Sequence, residues 1–286
     1  MYPESTQIHK ITNNEVTLHT LFYPKPGAET VLLLHGGPGT PDSMPLIAGL
    51  LAPNYQVLYF DQRGCGQSEC TDGCTITIDT LLSDICAVLD YYKLKQVHVF
   101  GHSWGGLLAQ LFAAAHPEKI QSLFLCSPAP GTAMEWRQME MEIFFFAVNR
   151  SSPLEWPRQT FLAMQSKIGI DAGAQKLFQT FHGIAHRGFS AQAPADEEVK
   201  NIKAATTNKI RYSILAHPGL PAELKTDFPV TITFSSQDTD FFKLSRQVVF
   251  KRFGSAQKIE IPEAGHFPWM HNLPVFTEAF GKHFAL

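Results

Sequence analysis

Short aliphatic segments alternate with longer segments of helical periodicity through the first half of the chain. Residues 77–94 place apolar side chains three and four positions apart, as in a helix with one buried face, and both Thr77 and Asp79 are candidate caps for its start. Strands that are joined through helices run in the same direction, so this alternation predicts an α/β fold with a mostly parallel central sheet flanked by helices. The predicted strands occupy residues 16–23, 30–35, 55–60, 97–100 and 122–128.

The alternation is interrupted in the middle of the chain, where helix-like stretches occur without any run typical of a core strand. Strands return at residues 230–236 and 258–262. The sequence therefore predicts an α/β core made of residues 1–127 and 229–286. Residues 128–228 are predicted to be inserted into that core as a helical cap, or lid.

The composition is that of a globular protein with a sizeable core. The chain has 286 residues, of which 44% are hydrophobic and 17% charged, and this suits one large domain with or without an insertion. Its formal net charge is −3, its pI is about 6.4, and it contains no run of lysine or arginine. This charge balance predicts neither a nucleic-acid nor a membrane partner and leaves small molecules and peptides. The oligomeric state has no signature in the sequence.

The cysteines and the N-terminal residues bear on the cellular compartment. Five cysteines are an odd number, and Cys65, Cys70 and Cys74 share one segment without a CxxC pair, so we expect free thiols in a reducing compartment and no metal site. The first ten residues lack the basic start and apolar core of a signal peptide. No stretch approaches the ~20 apolar residues of a membrane span. A cytoplasmic location is expected, and nothing calls for a cofactor.

A Gly-x-Ser-x-Gly pentapeptide occupies residues 101–105, with Ser103 at its centre. It follows the strand-like segment VHVF and precedes the helix-like segment LLAQLFAAA. A sharp strand-to-helix turn needs small residues beside the serine, exposes its hydroxyl and directs the helix N-terminus at the same point. This context makes Ser103 the candidate nucleophile.

A serine nucleophile needs a base and an acid that orients the base, and in this architecture they follow in the order serine, acid, histidine. Asp238 comes directly after the strand at 230–236, and His266 follows the strand at 258–262. These two residues are the predicted acid and base. Asp240 is the alternative acid and His271 the alternative base, because strand ends read from sequence are uncertain by a few residues.

Two further loops follow neighbouring strands. The segment HGGPG at 35–39 combines a buried strand end with glycines that let a backbone N–H point inward, which predicts an oxyanion hole formed by Gly36 or Gly37 together with the N–H of Trp104. In the segment DQRGCGQS, Asp61 and Arg63 are expected to form a buried pair, which either braces the HGGPG loop or is an ordinary salt bridge of a tight loop.

These motifs together resemble the α/β-hydrolase superfamily, and the HGGPG and DQRG-x-G-x-S loops resemble its proline iminopeptidase (prolyl aminopeptidase) branch in particular. The resemblance covers the sheet portions, residues 30–128 and 229–286. It implies Ser103 as nucleophile, His266 as base and Asp238 as the residue that orients it. It also implies that glutamates of the cap hold the free amino group of the substrate.

The cap offers several candidates for substrate binding. Its Glu-Trp pairs are Glu135-Trp136 and Glu155-Trp156. Together with Phe145 these residues are candidates to line a pocket for proline or an acyl chain, or else to form the cap's own core. The further acids of the cap are interpreted as solvated helix faces; they are Glu140, Glu142, Glu197 and Glu198.

The predicted function is that of a serine hydrolase that acts through a Ser-His-Asp triad and an acyl-enzyme. The expected substrate is a small peptide from which an N-terminal proline or a similar residue is released. The alternative within enzymes is a carboxylesterase, lactonase or thioesterase acting on small apolar esters. A non-catalytic binding protein on the same fold is the alternative from another class.

Overall fold

The central feature of the molecule is one twisted sheet. The structure is a computed structural model that describes residues 6–40, 44–189, 199–240 and 242–286, except for the side chains of Thr239 and Asp240. Within these residues the sheet has nine strands in the order β1-β2-β4-β3-β6-β7-β8-β9, with β5 beside β2. The strands are β1 (Gln7–Asn13), β2 (Val16–Tyr23), β3 (Thr30–Leu34), β4 (Gln56–Phe60), β5 (Glu69–Cys70), β6 (Val97–His102), β7 (Ile120–Cys126), β8 (Val230–Ser235) and β9 (Gln257–Ile261).

Six of these strands, β3, β4 and β6 to β9, pair in parallel, whereas β1, β2 and β5 pair antiparallel at one edge. This confirms the predicted mostly parallel α/β sheet. Strand β1 was not predicted, because it lies at the sheet edge and carries mainly exposed, polar side chains. An edge strand of this kind lacks the apolar run on which the other predictions rest.

The helices are α1 (Pro45–Leu51), α2 (Ile78–Tyr91), α3 (Trp104–Ala115), α4 (Ala133–Asn149), α5 (Trp156–Lys167), α6 (Asp171–Ala185), α7 (Ala204–Ala216), α8 (Lys243–Arg252), α9 (Pro268–His271) and α10 (Leu273–Phe284). Thr77, one of the two predicted caps, accepts a hydrogen bond from the N–H of Thr80 and begins α2. No helix in the described part of the chain is both long and apolar enough to cross a bilayer.

The alternating side chains of the central strands divide the core between the two faces of the sheet. Leu32 and Leu34 of β3 belong to the cluster that contains the apolar faces of α2 and α3. Val31 and Leu33 belong to the opposite cluster, together with apolar residues of α1 and α10. Both faces are therefore covered, and the carboxyl ends of the parallel strands remain the place where functional loops converge.

Helices α4 to α7 lie in the chain between β7 and β8, and in the described part of that stretch no strand occurs. The contacts of α4 and α7 with each other and with α2 and α8 connect this helical segment to the core. The division into a core of residues 1–127 and 229–286 and a cap of residues 128–228 stays a prediction. The name cap denotes helices α4 to α7 and the described residues between them, without a claim about a separate domain.

The expectation of free thiols is wrong for two cysteines. Cys70 and Cys74 form a disulfide, while Cys65, Cys86 and Cys126 are free. Cys70 ends β5, and a turn closed by the hydrogen bond from Cys74 N to Thr71 O brings the two Cα atoms to 5.6 Å, a separation that a disulfide spans. The cytoplasmic location, which rested partly on free thiols, stays a prediction.

The predicted pair of Asp61 and Arg63 is also wrong. Arg63 instead donates to Asp84 of α2 through Nε and Nη2, at 2.9 and 2.7 Å. Both side chains are almost fully buried, and Asp84 also accepts from Asn13 Nδ2 at 2.8 Å. The pair therefore joins the loop after β4 to α2 and to the edge strand β1. A partner twenty-one residues along the chain has no local signature in the sequence.

The Arg63–Asp84 pair yields a test of stability. Asp84→Ala leaves a buried guanidinium without its carboxylate, so we expect the free energy of unfolding in urea to fall by about 3–5 kcal/mol. Glu278→Ala is the control, because Glu278 pairs with Lys282 at the surface, and it should leave the free energy of unfolding nearly unchanged. Equal effects of the two substitutions would contradict this assignment.

Candidate active site

Ser103 occupies a strained turn between β6 and α3. Its φ is +53°, a left-handed value that a serine adopts only where its surroundings hold it. The turn is held by the hydrogen bonds from Ser103 N to Cys126 O, at 3.0 Å, and from Ala129 N to Ser103 O, at 2.9 Å. A methyl group at Gly105 would collide with the carbonyl oxygens at the end of β3, so only glycine lets α3 start this close to the sheet.

Asp238 and His266 come together from different strand ends. Asp238 follows β8 and His266 follows β9, and His266 Nδ1 lies 3.3 Å from Asp238 Oδ1. The other oxygen of Asp238 accepts hydrogen bonds from Ser127 Oγ and from the N–H of Ser235. The His266 ring stacks on Phe242 with 4.6 Å between ring centroids. Both side chains are buried and fixed in orientation by these contacts.

For the alternative acid, Asp240, and the alternative base, His271, the described residues show no contact like that between Asp238 and His266. The side chain of Asp240 lies outside the described residues. His271 Nδ1 accepts a hydrogen bond from Gly265 N at 3.0 Å, and its Nε2 donates to His186 Nδ1 at 2.8 Å. Both nitrogens of His271 are therefore engaged in contacts other than with a carboxylate.

The HGGPG loop lies against the turn that carries Ser103. A methyl group at Gly36 would be 3.2 Å from the Cβ of Ser103, so the loop backbone and Ser103 are immediate neighbours. Gly36 and Gly37 line the same cavity as Ser103 and His266. The sequence prediction thus placed these glycines in the correct neighbourhood, and their role as hydrogen-bond donors stays a prediction.

Gln62 connects the three loops at this edge of the sheet, a role that sequence reasoning missed. Its N–H donates to His35 Nε2 at 3.3 Å and its side-chain amide donates to His35 O at 3.1 Å. The indole Nε1 of Trp104 donates to Gln62 Oε1 at 2.7 Å. Gln62 lies within the DQRG segment, but only Asp61 and Arg63 of that segment were singled out from the sequence.

Ser103 opens into a cavity of about 890 Å³. Most of the groups at its wall are aromatic or aliphatic, and they come from both the sheet loops and the cap helices. The aromatic residues contributed by the cap are Trp136, Phe178 and Phe181. This composition suits a substrate with an apolar body, held by few polar contacts.

The structure brings one of the five predicted cap residues, Trp136, to the cavity. Glu135 instead caps α4, where its carboxylate accepts from Thr132 N and forms an ion pair with Arg252 at 3.1 Å. Glu155 accepts a hydrogen bond from the N–H of Ser152 at the surface. Trp156 and Phe145 are both exposed and do not line the cavity.

Glu140 is the cap carboxylate that lines the cavity in the described residues. Arg211 donates to it through Nε and Nη2, at 2.5 and 2.7 Å, and Trp136 donates through Nε1 at 2.9 Å. This hydrogen bonding raises the pKa of Arg211. The negative charge of Glu140 is therefore balanced by a bidentate arginine. Glu142 accepts from Leu244 N, and residues 197 and 198 lie outside the described residues.

Asp61 is a second acid at the cavity wall. Burial by itself would raise its pKa, but the His19 imidazole 3.4 Å away and hydrogen bonds from Tyr59 and Gln67 lower the pKa below its usual value. The Tyr59 hydroxyl donates at 2.6 Å and the Gln67 N–H at 2.8 Å. Asp61 is therefore ionised at neutral pH, with its charge spread over donors of the protein itself.

Three histidines near the cavity are kept neutral by their surroundings. Burial lowers the pKa of His182 to about 3, and repulsion by His186 adds to this effect. Burial also lowers the pKa of His271 to about 4. For His102, burial and the neighbouring His266 hold the pKa well below its usual value. Sequence reasoning missed His182 and His186, since the cap helix that carries them shows no distinguishing motif.

The neutral histidines predict a loss of stability in acid. Histidine in the unfolded chain protonates near pH 6.5, whereas His182 in the folded chain stays neutral down to about pH 3, so the unfolded state binds more protons in between. We expect the free energy of unfolding to decrease as the pH falls from 6.5 towards 4, by up to about 1.4 kcal/mol per pH unit for each such residue. Denaturant unfolding at several pH values measures this.

His182→Phe should make that pH dependence shallower, because the ring contacts with Phe178 and Phe267 can be kept while the titrating group is lost. His116→Gln, at the end of α3 and away from the cavity, controls for the loss of a histidine as such. A slope for His182→Phe as steep as that of the wild type would contradict the assignment.

Comparison with known proteins gives matches in sequence and in structure. Residues 29–149 match the family model described as alpha/beta hydrolase fold. The chain is 30% identical over 129 residues to the proline iminopeptidase of Lactobacillus crispatus, covering 43% of this chain and 44% of that protein. It is also 30% identical over 179 residues to the proline iminopeptidase of Neisseria gonorrhoeae, covering 58% and 52%. The chain thus spans about half the length of these curated relatives.

The solved structures that resemble the chain share its fold over nearly its whole length. A 2-hydroxy-6-oxo-6-phenylhexa-2,4-dienoate hydrolase from a Rhodococcus species has a TM-score of 0.71 at 17% identity, covering 98% of this chain and all of that one. The enol-lactonase of Burkholderia xenovorans has a TM-score of 0.67 at 19% identity, covering 97% and 100%. At such identities the likeness concerns the fold alone. The chain is an α/β-hydrolase-fold protein that resembles the proline iminopeptidases.

Proposed function

We propose that the protein is a serine hydrolase that works through an acyl-enzyme formed on Ser103. The observation that carries this proposal is the convergence at one cavity of Ser103, on its strained turn, and His266, whose Nδ1 lies 3.3 Å from Asp238 Oδ1. A nucleophile, a base and an acid that orients the base are the groups that acyl transfer needs.

In this mechanism the Ser103 hydroxyl oxygen attacks the substrate carbonyl while His266 accepts the hydroxyl proton. The bond to the leaving group breaks, and His266 delivers the proton to the departing amine or alcohol. Water then attacks the acyl-enzyme with His266 again accepting a proton, and the acid product leaves as Ser103 regains its hydrogen. Asp238 stabilises the charged imidazole and holds its Nδ1–H in place.

The negative charge that develops on the carbonyl oxygen is received by backbone N–H groups. We assign one to Trp104, the first residue of α3, where the helix N-terminus adds a partial positive charge. The second comes from Gly36 or Gly37, whose loop lies next to Ser103. Gln62 holds the two donor loops together through His35 and Trp104.

The proposal predicts the kinetics of three variants. Ser103→Ala and His266→Gln should each lower kcat by about 10³- to 10⁶-fold, and Asp238→Asn by about 10⁴-fold, with little effect on KM. Because the three residues act as a unit, the Ser103→Ala/His266→Gln double variant should be no slower than the slower single variant. Ser166→Ala, on the cap helix α5, is the control and should keep wild-type kcat. Additive losses would contradict a shared mechanism.

For the substrate we propose first a small peptide that carries an N-terminal proline or a similar residue. Support comes from the relatives, since the chain is 30% identical to two proline iminopeptidases over 43% and 58% of its length. The match to the alpha/beta hydrolase family model, residues 29–149, contains the HGGPG and DQRG loops. The apolar, aromatic wall of the cavity also suits a pyrrolidine ring.

The second candidate is a small apolar ester, and one specific observation favours it. The cap carboxylate at the cavity, Glu140, already binds Arg211 through two hydrogen bonds. A carboxylate balanced in this way attracts a substrate ammonium group much less than a free one does. Glu140 therefore decides between the two classes according to whether Arg211 stays on it when substrate binds.

The two classes are separated by comparing a proline arylamide with a free amine, its N-acetyl form and a short acyl ester. Without Arg211, the charge of Glu140 is free to attract the substrate ammonium group. Arg211→Leu should therefore raise kcat/KM for the free amine relative to the N-acetyl form by about tenfold, which corresponds to about 1.4 kcal/mol. Arg137→Leu, an exposed arginine of α4, is the matched control and should leave the ratio unchanged.

In the wild type, cleavage of the free arylamide and not of its N-acetyl form supports the peptidase, and cleavage of the ester alone supports the esterase. An unchanged ratio in Arg211→Leu would show that Glu140 does not meet the amine.

A further inference from the structure

The cap surface is rich in exposed apolar side chains. Of the seventeen large apolar side chains that are exposed among the described residues, ten belong to the segment 134–170, which spans α4, α5 and the loops beside them. Scattered exposed apolar residues are ordinary on a protein surface, but a concentration within one short segment marks a site of interaction.

Helix α5 shows the clearest pattern. Phe161, Met164 and Ile168 are 53%, 54% and 68% exposed, and their spacing of three and four positions places them on one side of the helix axis. Leu154, in the turn that precedes the helix, is 90% exposed. Leu162, on another side of the helix, is the buried residue by which α5 packs on the rest of the cap. The apolar row of α5 thus faces outward.

Basic residues border this row on both sides. At 100° per residue, Arg158 and Lys167 lie to either side of the line through Phe161 and Ile168, and both are exposed. No acidic residue occurs between positions 156 and 170. Glu155, which precedes the helix, is occupied by its hydrogen bond with Ser152 N. The α5 face, defined as Phe161, Met164, Ile168, Arg158 and Lys167, is therefore apolar at its centre and positively charged at its margins.

We propose that the α5 face binds the surface of a lipid bilayer that contains anionic lipids, with the helix lying in the plane of the interface. Apolar side chains of such a helix enter the boundary between headgroups and acyl chains, while flanking Arg and Lys meet lipid phosphates. This charge complementarity selects a lipid surface as the partner. The attraction to anionic lipids comes from the α5 face alone. The chain as a whole has a net charge of −3, which repels anionic lipids. The proposal does not depend on the catalytic assignment.

Co-sedimentation of the full chain with vesicles tests the proposal. We expect binding to vesicles of phosphatidylcholine with phosphatidylglycerol, weaker binding to phosphatidylcholine alone, and a decrease in binding between 50 and 500 mM salt, about the range over which such charges become screened. Phe161→Asp and the double variant Arg158→Gln/Lys167→Gln should each weaken binding to the anionic vesicles by about tenfold or more. Circular dichroism and thermal unfolding verify that each variant is folded.

Leu273→Asp is the matched control, because Leu273 is also an apolar residue at the surface, 42% exposed, but it lies in α10 outside the cap. It should bind vesicles like the wild type. Absence of binding to both kinds of vesicle, or undiminished binding of Phe161→Asp, would overturn the proposal. A dimer in light scattering that Phe161→Asp converts to a monomer would also overturn it, since the occupant of the α5 face would then be a second copy of the chain.

Discussion

The close approach of α3 to the end of β3 is the constraint on which the site depends. Gly105 allows the helix to begin against the carbonyl oxygens of the strand, and this forces Ser103 into a left-handed conformation between β6 and α3. The turn projects the serine into the cavity and leaves the N-terminus of α3 directed at the same point. Gln62 then fixes the HGGPG loop relative to this turn. The strained backbone conformation of Ser103 is thus maintained by the packing around it.

The parts of the fold that follow from local pattern were predictable. Buried parallel strands such as β3 are visible in the sequence as continuous apolar runs. Because those strands could be located, Ser103, Asp238 and His266 could each be recognised as following a strand. The disulfide of Cys70 and Cys74 and the choice of Asp84 by Arg63 were not predictable. They depend on which segments fold next to each other, and spacing along the chain carries no information about that.

In the cap, too, the sequence did not show which side chains reach the cavity. Glu135, Glu140 and Glu142 lie on one helix, and from the sequence Glu135 was a substrate-binding candidate whereas the other two were interpreted as solvated. In the structure Glu135 caps the helix, Glu140 reaches the cavity and Glu142 binds the start of α8. The helical period separates their faces, but only the packing of α4 on its neighbours decides which face meets the cavity. In the function we propose, the substrate class depends on that packing, because the charge of Glu140 is balanced by Arg211, a residue of another helix.

The proposal that Ser103 is an activated nucleophile is tested most simply by treating the protein with a fluorophosphonate. The intact mass is then measured, and the modified residue is located by peptide mapping. We expect one adduct per chain, located on Ser103, and no adduct when His266 is replaced by glutamine, because the hydroxyl is then no longer activated. An adduct on another residue, or no adduct in a folded protein, would contradict Ser103 as an activated nucleophile. The second outcome would favour a binding protein on the same fold.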